Sequence, residues 1–555
     1  MRHLLVLLFF LHVYHAEAQY TKHIIQLTDK NNSPYSLSNP SGFLSLKSIE
    51  RRARQQITLD STDLPVNPAY VQRILEAGDI TLLNTSRWLN QVLIETTDTA
   101  ALNKISNFSF VKTVNRAARK RKQRTRDNII YESKPVRKQK RVQETGNYFS
   151  YGSNFDQVNI HEGEFLHNQG FRGEGMTIAV LDAGFYRYDT NPAFDSIRLG
   201  NQVLGTWDFV LNKSSITEEH YHGLVCFSTI AANSPGKMVG TAPKAYYYLF
   251  RTEDVSSEYQ VEEQNWVAAA EKADSLGVDI ITSSLGYYEF DDASRNYTYE
   301  DMDGKTAIIT RGAEAAFKKG MIVTNSAGNS GQEDWHYIVA PADGPHVLAV
   351  GSVDVNKSVS PFSSYGPSAD GRIKPDVASV GWGTVVTGID GKLAYMSGTS
   401  LANPNLAGLI TCLWQAFPQL TNTDIIDAVK RSADRYHNPD DRTGYGIPNM
   451  RIAYELLAEK VVDKNTRTLL GNDWIKAYPV PFTSALTVLI KPRHTGTAIL
   501  SLLNNAGKEV LVKKINVTEG ITRYEQLPQV TGLGHGIYWL RYHEGKYMRV
   551  LKLVK

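Results

Sequence analysis

The chain has 555 residues, of which 42% are hydrophobic and 21% charged, as is typical of a globular protein of about two to four domains. Its 60 basic and 57 acidic residues leave a formal net charge of +3, which indicates neither a nucleic-acid nor a membrane partner. With only Cys226 and Cys412, a disulfide framework is excluded, and no closely spaced Cys/His cluster indicates zinc. Both cysteines lie in apolar, helix-like stretches, so we expect two buried thiols; a disulfide between them stays open.

The first 18 residues are typical of a secretory signal peptide. Arg2 and His3 precede an apolar run over residues 4–13, and Ala16 and Ala18 have the spacing that a signal peptidase requires. The run is shorter than the about 20 residues that cross a bilayer as a helix. We therefore predict export to the cell surface or the medium, without a transmembrane segment.

Residues 19–115 have the pattern of a small α+β unit. Strand-like runs cover residues 23–27, 80–84 and 91–96, a helical pattern covers 68–77, and a closing strand is expected over 108–114.

A strongly basic stretch follows over residues 116–145, from Arg116 to Arg141. Like charges without an apolar face repel one another, which predicts an exposed linker that is cut during maturation. A nucleic-acid-binding tail is the alternative, but it is disfavoured because aromatic residues are not interleaved with the charges.

Strand-like and helix-like runs alternate over residues 146–460. Apolar strands are predicted over 176–181, 278–283, 321–325 and 347–353, and a helix over 264–276. This alternation predicts an α/β domain with a mostly parallel sheet and helices on both faces.

The pattern changes again after a predicted linker over residues 461–474. Short strands are expected over 485–490, 498–503, 509–515, 537–542 and 547–554, separated by turn residues such as Asn505-Ala506-Gly507 and Glu544-Gly545. Residues 475–555 are therefore predicted to form a small all-β sandwich.

Two polar residues flank apolar runs in the 146–460 region. Asp182 ends a strand, which places its carboxylate at the carboxyl edge of a parallel sheet, where sites form in open α/β folds. His222, followed by Gly223, begins an apolar helical run and can project its imidazole into a cleft. Taken singly, an Asp that caps a turn and a structural histidine are the simpler interpretations.

Two further segments add a nucleophile and an amide. Ser400 begins an apolar helix, whose positive dipole end favours a developing oxyanion. An N-cap serine is the plainer alternative, but Gly398 just before it permits close approach of a substrate backbone. Asn329 follows the strand over 321–325 and could donate to the oxyanion of a tetrahedral intermediate.

In this order, the segments resemble the subtilisin-like serine peptidases, the subtilases. The resemblance covers residues 150–460 and rests on Asp182-Ala183-Gly184, His222-Gly223-Leu224, Ser284-Leu285-Gly286, Ala327-Gly328-Asn329 and Gly398-Thr399-Ser400-Leu401-Ala402-Asn403-Pro404. It implies an endopeptidase in which Ser400 is the nucleophile, His222 its general base, Asp182 the group that orients the imidazole, and Asn329 an oxyanion donor.

The resemblance also implies how a protein or peptide substrate binds. Ser284, Leu285 and Gly286 would pair with an extended substrate as an added strand. The pocket for the residue before the cut would be bordered by Ser326, Ala327 and Gly328. No cofactor is expected; structural calcium is common in such proteins, but the sequence shows no ligand set clear enough to name.

Two positions depart from the family pattern. Leu224 stands where the family usually has Thr, and Asn403 interrupts the small residues before Pro404. An inactive subtilase scaffold that serves as a binding protein therefore remains the alternative function. An esterase of the α/β-hydrolase type is disfavoured because its triad order is Ser, acid, His and its nucleophile motif ends in Gly, where Ala402 stands here.

The flanking regions resemble parts of secreted subtilase precursors. Residues 24–115 are similar to inhibitory propeptides, which cap the cleft and assist the folding of the slow parallel core. Residues 475–555 resemble the C-terminal sorting domains of the type IX secretion system, with Ala477-Tyr478-Pro479-Val480-Pro481-Phe482 at their start and Lys546, Arg549, Lys552 and Lys555 in the last strand. A carbohydrate-binding sandwich is the alternative for this last region.

Overall fold

The computed structural model of the chain describes residues 20–119, 131–132, 146–483 and 485–555. The predicted signal peptide and most of the basic linker lie outside these residues. Contacts divide the chain into two compact units, with the division between Tyr454 and Glu455. The first unit contains both the predicted propeptide and the predicted α/β domain.

The N-terminal part of the first unit is an antiparallel sheet with three helices. Its elements are β1 (Tyr20–Leu27), α1 (Leu46–Arg54), α2 (Pro68–Leu75), β2 (Thr81–Ser86), β3 (Gln91–Glu95), α3 (Thr99–Ser106) and β4 (Val111–Arg119). The strand order is β2-β3-β1-β4, and Ile25, Val92, Ile94 and Ile105 are fully buried in its core. The predicted α+β architecture is confirmed.

Strand β4 is longer than the sequence pattern predicted. It pairs with β1 as far as the register Tyr20↔Arg119, so residues 116–119 belong to the sheet and not to an exposed linker. The sequence did not predict this part of the strand, because Arg116 and Arg119 contribute no apolar pattern. The backbone pairing with β1 shows it. The guanidinium groups of both arginines lie over the ring of Tyr20.

The α/β domain contains the following elements: β5 (Tyr131–Glu132), α4 (Phe155–Asn159), α5 (Gly163–Asn168), β6 (Thr177–Asp182), α6 (Asp195–Leu199), β7 (Val203–Asp208), α7 (His222–Ala231), β8 (Asn233–Ser234), β9 (Met238–Val239), β10 (Tyr246–Arg251), α8 (Gln260–Leu276), β11 (Ile280–Ser283), α9 (Ile308–Lys318), β12 (Ile322–Ser326), β13 (Leu348–Val353), β14 (Val377–Val380), β15 (Thr384–Thr387), β16 (Leu393–Ser397), α10 (Thr399–Ala416), α11 (Asn422–Arg431) and α12 (Met450–Leu470).

Seven parallel strands in the order β14-β13-β12-β11-β6-β10-β7 form the central sheet. Helices α8 and α9 pack on one face, where Ala179 and Leu181 of β6 join the core. Because side chains alternate along a strand, Ile178 and Val180 point to the other face, which α7 and α10 cover. Burial on both faces explains the continuous apolar strands and confirms the predicted fold class.

Helix α12 extends into the predicted linker over residues 461–474. The helix continues to Leu470, so most of that segment is helical. Its polar composition over residues 463–467 concealed the continuation, because polar residues give no apolar periodicity from which a helix could be predicted.

The C-terminal unit begins within α12 and continues as a β-sandwich of two antiparallel sheets. Its strands are β17 (Ile475–Tyr478), β18 (Leu486–Ile490), β19 (Gly496–Asn504), β20 (Glu509–Val517), β21 (Arg523–Leu527), β22 (Ile537–Glu544) and β23 (Tyr547–Val554). The sheet orders are β17-β18-β21 and β20-β19-β22-β23, and Val488, Leu500 and Leu540 are buried between them. Strands β17 and β21 were not predicted. No helix in the described part of the chain is long and apolar enough to cross a membrane.

Candidate active site

The carboxyl ends of three neighbouring strands bring the candidate residues together. Strands β6, β11 and β12 are adjacent, and Leu181, Ser283 and Asn325 lie in register across them. Asp182, residues 284–286 and residues 327–329 follow these three positions, so all leave the sheet at the same edge. This is the edge where sites form in open α/β sheets.

Asp182 and His222 form a buried pair at this edge. Asp182 is the last residue of β6, His222 is the first residue of α7, and Nδ1 of the imidazole lies 2.6 Å from Oδ1 of the carboxylate. The backbone N–H of Ala183 donates to the same Oδ1 at 2.7 Å. Since Nδ1 donates to Asp182, the neutral ring carries its lone pair on Nε2, which is buried and has no hydrogen-bond partner among the described residues.

The electrostatics of the pair favour a protonated imidazole. Burial lowers the pKa of His222, but the negative charge of Asp182 and its hydrogen bond outweigh burial, so that the pKa of His222 lies well above its usual value near 6.5. The neutral ring, which can accept a proton, is therefore favoured on the alkaline side.

Ser400 lies in the first turn of α10, as the sequence predicted, and its side chain is buried. Two groups hold its backbone: the hydroxyl of Ser284 donates to its carbonyl oxygen at 2.9 Å, and the thiol of Cys226 donates to the same oxygen at 3.2 Å. The predicted substrate segment and the predicted nucleophile are thus joined directly.

Cys226 is a site residue that the sequence analysis missed. It lies one helical turn after His222, with its Sγ 3.8 Å from Nδ1 of that residue. The i, i+4 spacing on a helix was the signal that could have found it. Burial raises the pKa of the Cys226 thiol, so the sulfur stays protonated and acts as a donor. Both cysteines are buried and free, as expected.

Asn329 is held beside the start of α10 by Thr399. Its amide oxygen accepts hydrogen bonds from the backbone N–H and the hydroxyl of Thr399, each at 2.9 Å. Because the oxygen faces Thr399, the NH₂ group of the same planar amide points to the other side. Gly328 adopts a φ of +112°, a conformation that favours glycine at this turn.

Asn325 links the two predicted substrate segments and was also missed. Its side-chain NH₂ donates to the carbonyl oxygen of Leu285 at 2.8 Å and to that of Ser326 at 2.9 Å. Gly286 packs closely, since a Cβ atom there would lie 2.1 Å from Cγ2 of Val339. Ala327 is fully buried between these segments.

The two departures from the family pattern have different surroundings. Asn403 donates to the hydroxyl of Thr282 at 3.0 Å and to the carbonyl of Ser283 at 2.9 Å, which fastens α10 to the end of β11. Leu224 is fully buried in α7. Neither residue replaces a group of the Asp182–His222 pair.

Two clusters of described residues have the spacing to hold a metal ion. One consists of Asp182, His222 and Cys226, and the other of Glu253, Glu258 and Glu262. The residues of the first cluster already bind one another through the contacts described above.

The propeptide region docks on α8 through buried ion pairs. Asp274 of α8 pairs with Arg51, with Arg87 and, at 2.8 Å, with Arg52. Glu271, one turn earlier, accepts from the hydroxyl of Ser86 at 2.6 Å. Burial raises the pKa of Asp274, but the three arginines outweigh it and hold the pKa below its usual range.

Residues 131–132 also lie beside the candidate site. Strand β5 pairs antiparallel with β16 in the register Tyr131↔Ser397 and Glu132↔Met396. Ser397 is three residues before Ser400, so the chain that follows the propeptide passes next to the candidate nucleophile.

Comparison with known proteins identifies the family. Residues 173–446 match the sequence model of the subtilase family. Thermitase of Thermoactinomyces vulgaris is 31% identical over 269 residues, which cover 47% of this chain and 82% of thermitase. The chain belongs to the subtilase family. Serine protease AprX of Bacillus subtilis (strain 168) is 28% identical over 310 residues, which cover 50% of this chain and 66% of AprX, just under two thirds of its length.

The flanking regions match two further models. Residues 22–131 match the peptidase S8 propeptide domain of Bacteroidota, and residues 476–555 match the secretion system C-terminal sorting domain. The resemblances drawn from the sequence motifs are confirmed for all three regions of this subtilase. The propeptide match extends beyond residue 115, in agreement with the longer strand β4.

Proposed function

We propose that this chain is the precursor of a secreted serine endopeptidase. The observation that carries the proposal is the buried Asp182–His222 hydrogen bond of 2.6 Å at the same sheet edge as Ser400. Ser400 attacks the scissile carbonyl, His222 takes its proton at Nε2 and returns it to the leaving amine, and Asp182 holds the imidazole tautomer. Water then hydrolyses the acyl-enzyme.

The oxyanion is held by the NH₂ group of Asn329 and the backbone N–H of Ser400. Donors fixed before the reaction stabilise the charge that develops in the transition state without reorganisation. The positive end of the α10 dipole adds to this stabilisation. Thr399 supports the arrangement because its contacts with the Asn329 oxygen fix the direction of the amide.

The substrate binds as an extended strand along Ser284, Leu285 and Gly286, and Ser326, Ala327 and Gly328 border the pocket for the residue before the cut. The propeptide acts as an intramolecular inhibitor that is released after cleavage in the basic segment. The signal peptide and the type IX secretion system carry the protein to the cell surface or the medium. The inactive scaffold remains the competing function.

Labelling with a fluorophosphonate probe tests the proposal. We expect the purified secreted protein to be labelled and Ser400→Ala to remain unlabelled and without peptide hydrolysis, because the probe reacts only with an activated serine. Ser397→Ala, three residues upstream, is the matched control and should retain the label. Gel bands of the labelled protein show whether the propeptide and the C-terminal domain have been removed.

Equal labelling of wild type and Ser400→Ala would refute the assignment of the nucleophile. A folded protein that is free of its propeptide but neither labels nor hydrolyses peptides would favour the inactive scaffold, and Leu224→Thr would then be the first variant to make.

A further inference from the structure

Three charged residues end three neighbouring strands of the central sheet. Asp182, Arg251 and Asp208 are the last residues of β6, β10 and β7, and Arg251 lies in register with both carboxylates. Residues in register on adjacent parallel strands project to the same face of a sheet. All three are at most 3% exposed. A buried guanidinium therefore lies between the carboxylate that contacts His222 and a second carboxylate.

The guanidinium of Arg251 contacts three separate segments. Its Nε donates to the backbone carbonyl of Ala183, the first residue after β6, at 3.1 Å. Its Nη1 donates to Oδ2 of Asp208 at 2.9 Å and lies 3.6 Å from Oε2 of Glu219, in the segment that precedes α7. Because the N–H groups of a guanidinium point in fixed directions, the contacts with the two carboxylates also fix the direction of Nε.

The orientation of the Asp182 carboxylate depends on Ala183. Oδ1 accepts from the backbone N–H of Ala183 and contacts Nδ1 of His222, whereas Oδ2 is buried and has no hydrogen-bond partner among the described residues. A shift of Ala183 would therefore turn the carboxylate, since no hydrogen bond to Oδ2 resists it. Arg251 limits such a shift because its Nε holds the carbonyl of Ala183.

The turn after Ala183 also packs against the segment before His222. Gly184 has a φ of +145°, and a Cβ atom there would lie 2.7 Å from the backbone nitrogen of His220. Nδ1 of His220 accepts the backbone N–H of His222 at 3.2 Å. A displacement of this turn would thus reach both residues of the buried acid–imidazole pair.

We infer that Arg251 is a positioning residue of the Asp182–His222 pair, an inference that rests on the proposed peptidase function. Arg251 holds Ala183 and, through Ala183, the carboxylate that orients the imidazole. Misplacement of a reacting group by about 1 Å can lower the rate about 100-fold. The competing interpretation is that Arg251 only stabilises the fold through its ion pair with Asp208.

Two substitutions of Arg251 remove different contacts. In Arg251→Gln, the side-chain NH₂ stands at the position of Nε, since both nitrogens are bonded to Cδ, and it can still donate to Ala183. The ion pair with Asp208 is lost in this variant. In Arg251→Lys, a positive charge remains for Asp208, but a methylene group stands at the position of Nε. Each variant is therefore the control for the other.

Kinetics and stability should rank the two variants in opposite orders. We expect kcat per fluorophosphonate-labelled site to fall about 10- to 100-fold in Arg251→Lys, with KM within about threefold of the wild type. In Arg251→Gln, kcat should stay within about threefold of the wild type. Thermal unfolding should show Arg251→Gln to be the less stable variant, because the buried Asp208 loses its counter-charge.

A second measurement needs neither processing nor turnover. In the full-length Ser400→Ala chain, the proton between Nδ1 of His222 and Asp182 should resonate far downfield in the proton NMR spectrum, as for a short hydrogen bond to a carboxylate. Adding Arg251→Lys should move this resonance upfield or broaden it beyond detection, whereas adding Arg251→Gln should leave it in place. A residue that only stabilises the fold would leave the resonance unchanged in the folded Arg251→Lys variant.

The other results overturn either the role of Arg251 or the proposed function. Wild-type kcat in Arg251→Lys, a rise in KM alone, or a larger loss of kcat in Arg251→Gln than in Arg251→Lys overturns the positioning role. Failure of Arg251→Lys to fold as the Ser400→Ala precursor assigns Arg251 to the fold alone. If the wild type neither labels with fluorophosphonate nor hydrolyses peptides, the proposed function fails, while the resonance still tests whether Arg251 positions the pair.

Discussion

Helix α8 carries buried carboxylates near both ends, but the carboxylates at the two ends differ in their partners. Near its C-terminus, Asp274 is paired with three arginines of the propeptide region, and Glu271 accepts from Ser86 and from two backbone N–H groups. Near its N-terminus, Glu262 is equally buried but has no hydrogen-bond partner in the described part of the chain. Because both carboxylates lie in the same helix, secondary structure does not explain the difference between them.

The difference shows in the direction of the pKa shifts. Arginines hold the pKa of Asp274 below its usual range, whereas burial and neighbouring carboxylates raise the pKa of Glu262 well above its own. A buried carboxylate is tolerated only with a counter-charge or a proton. We interpret the first end as the site that recognises the propeptide.

Removing the charge at the paired end should have the largest effect. Asp274→Asn leaves buried guanidinium groups without their carboxylate, and breaking such a pair costs about 3–5 kcal/mol. We expect unfolding at a clearly lower temperature or denaturant concentration, measured in the Ser400→Ala background so that the propeptide stays attached. Because the native pKa of Asp274 is lowered, its contribution is present above its unfolded pKa near 3.9 and is lost as pH falls through the native value.

Asp427→Asn is the control for this prediction. Asp427 pairs with Arg431 at 3.6 Å across one turn of α11, and both side chains are about half exposed. Such a pair contributes about 0.5 kcal/mol or less. An equal effect of the two substitutions would mean that the buried cluster is no stronger than a surface pair.

Neutralising the unpaired end should act in the opposite direction. Because burial and its neighbours raise the pKa of Glu262, the folded protein must either protonate this carboxyl or bury its charge, at a cost that appears above the unfolded pKa near 4.3. Glu262→Gln removes this cost, so we expect a gain of about 1–3 kcal/mol in stability above that pH. Thermal unfolding of the processed protein, inactivated by the fluorophosphonate probe, measures this gain. Glu289 is exposed, so Glu289→Gln is the control and should leave stability within about 0.5 kcal/mol of the wild type. Destabilisation by Glu262→Gln would contradict an unpaired carboxylate in the processed enzyme.

A peripheral ion pair of the propeptide interface should have the smallest effect. Lys47 donates to Asp279 at 3.0 Å and to Thr177 at 2.6 Å, but its side chain is 40% exposed. Since water competes for such a pair, Lys47→Met should cost less than about 1 kcal/mol in the same assay as Asp274→Asn. A loss of stability as large as that of Asp274→Asn would show that the exposure of an ion pair does not determine how much it contributes at this interface.

Much of the fold and of the candidate site followed from local patterns. The apolar run before Asp182 predicted a buried strand, and the apolar runs after His222 and Ser400 predicted helices, because these periodicities reflect only the immediate neighbours. The extension of β4 to Arg119 and the helix α12 were not predicted, because strand pairing and helix continuation in polar sequence leave no such pattern.

The sequence by itself determined which residues stand at the ends of strands and at the starts of helices, and so which residues could meet at one sheet edge. Only the tertiary structure decided that Asn325 joins the two substrate segments, that Asn403 fastens α10 to β11, and that Asp274 meets three arginines of the propeptide region. Leu285 lies 40 residues before Asn325, and Arg51 lies 223 residues before Asp274. Contacts at such separations depend on the packing of the whole domain, which no local pattern records.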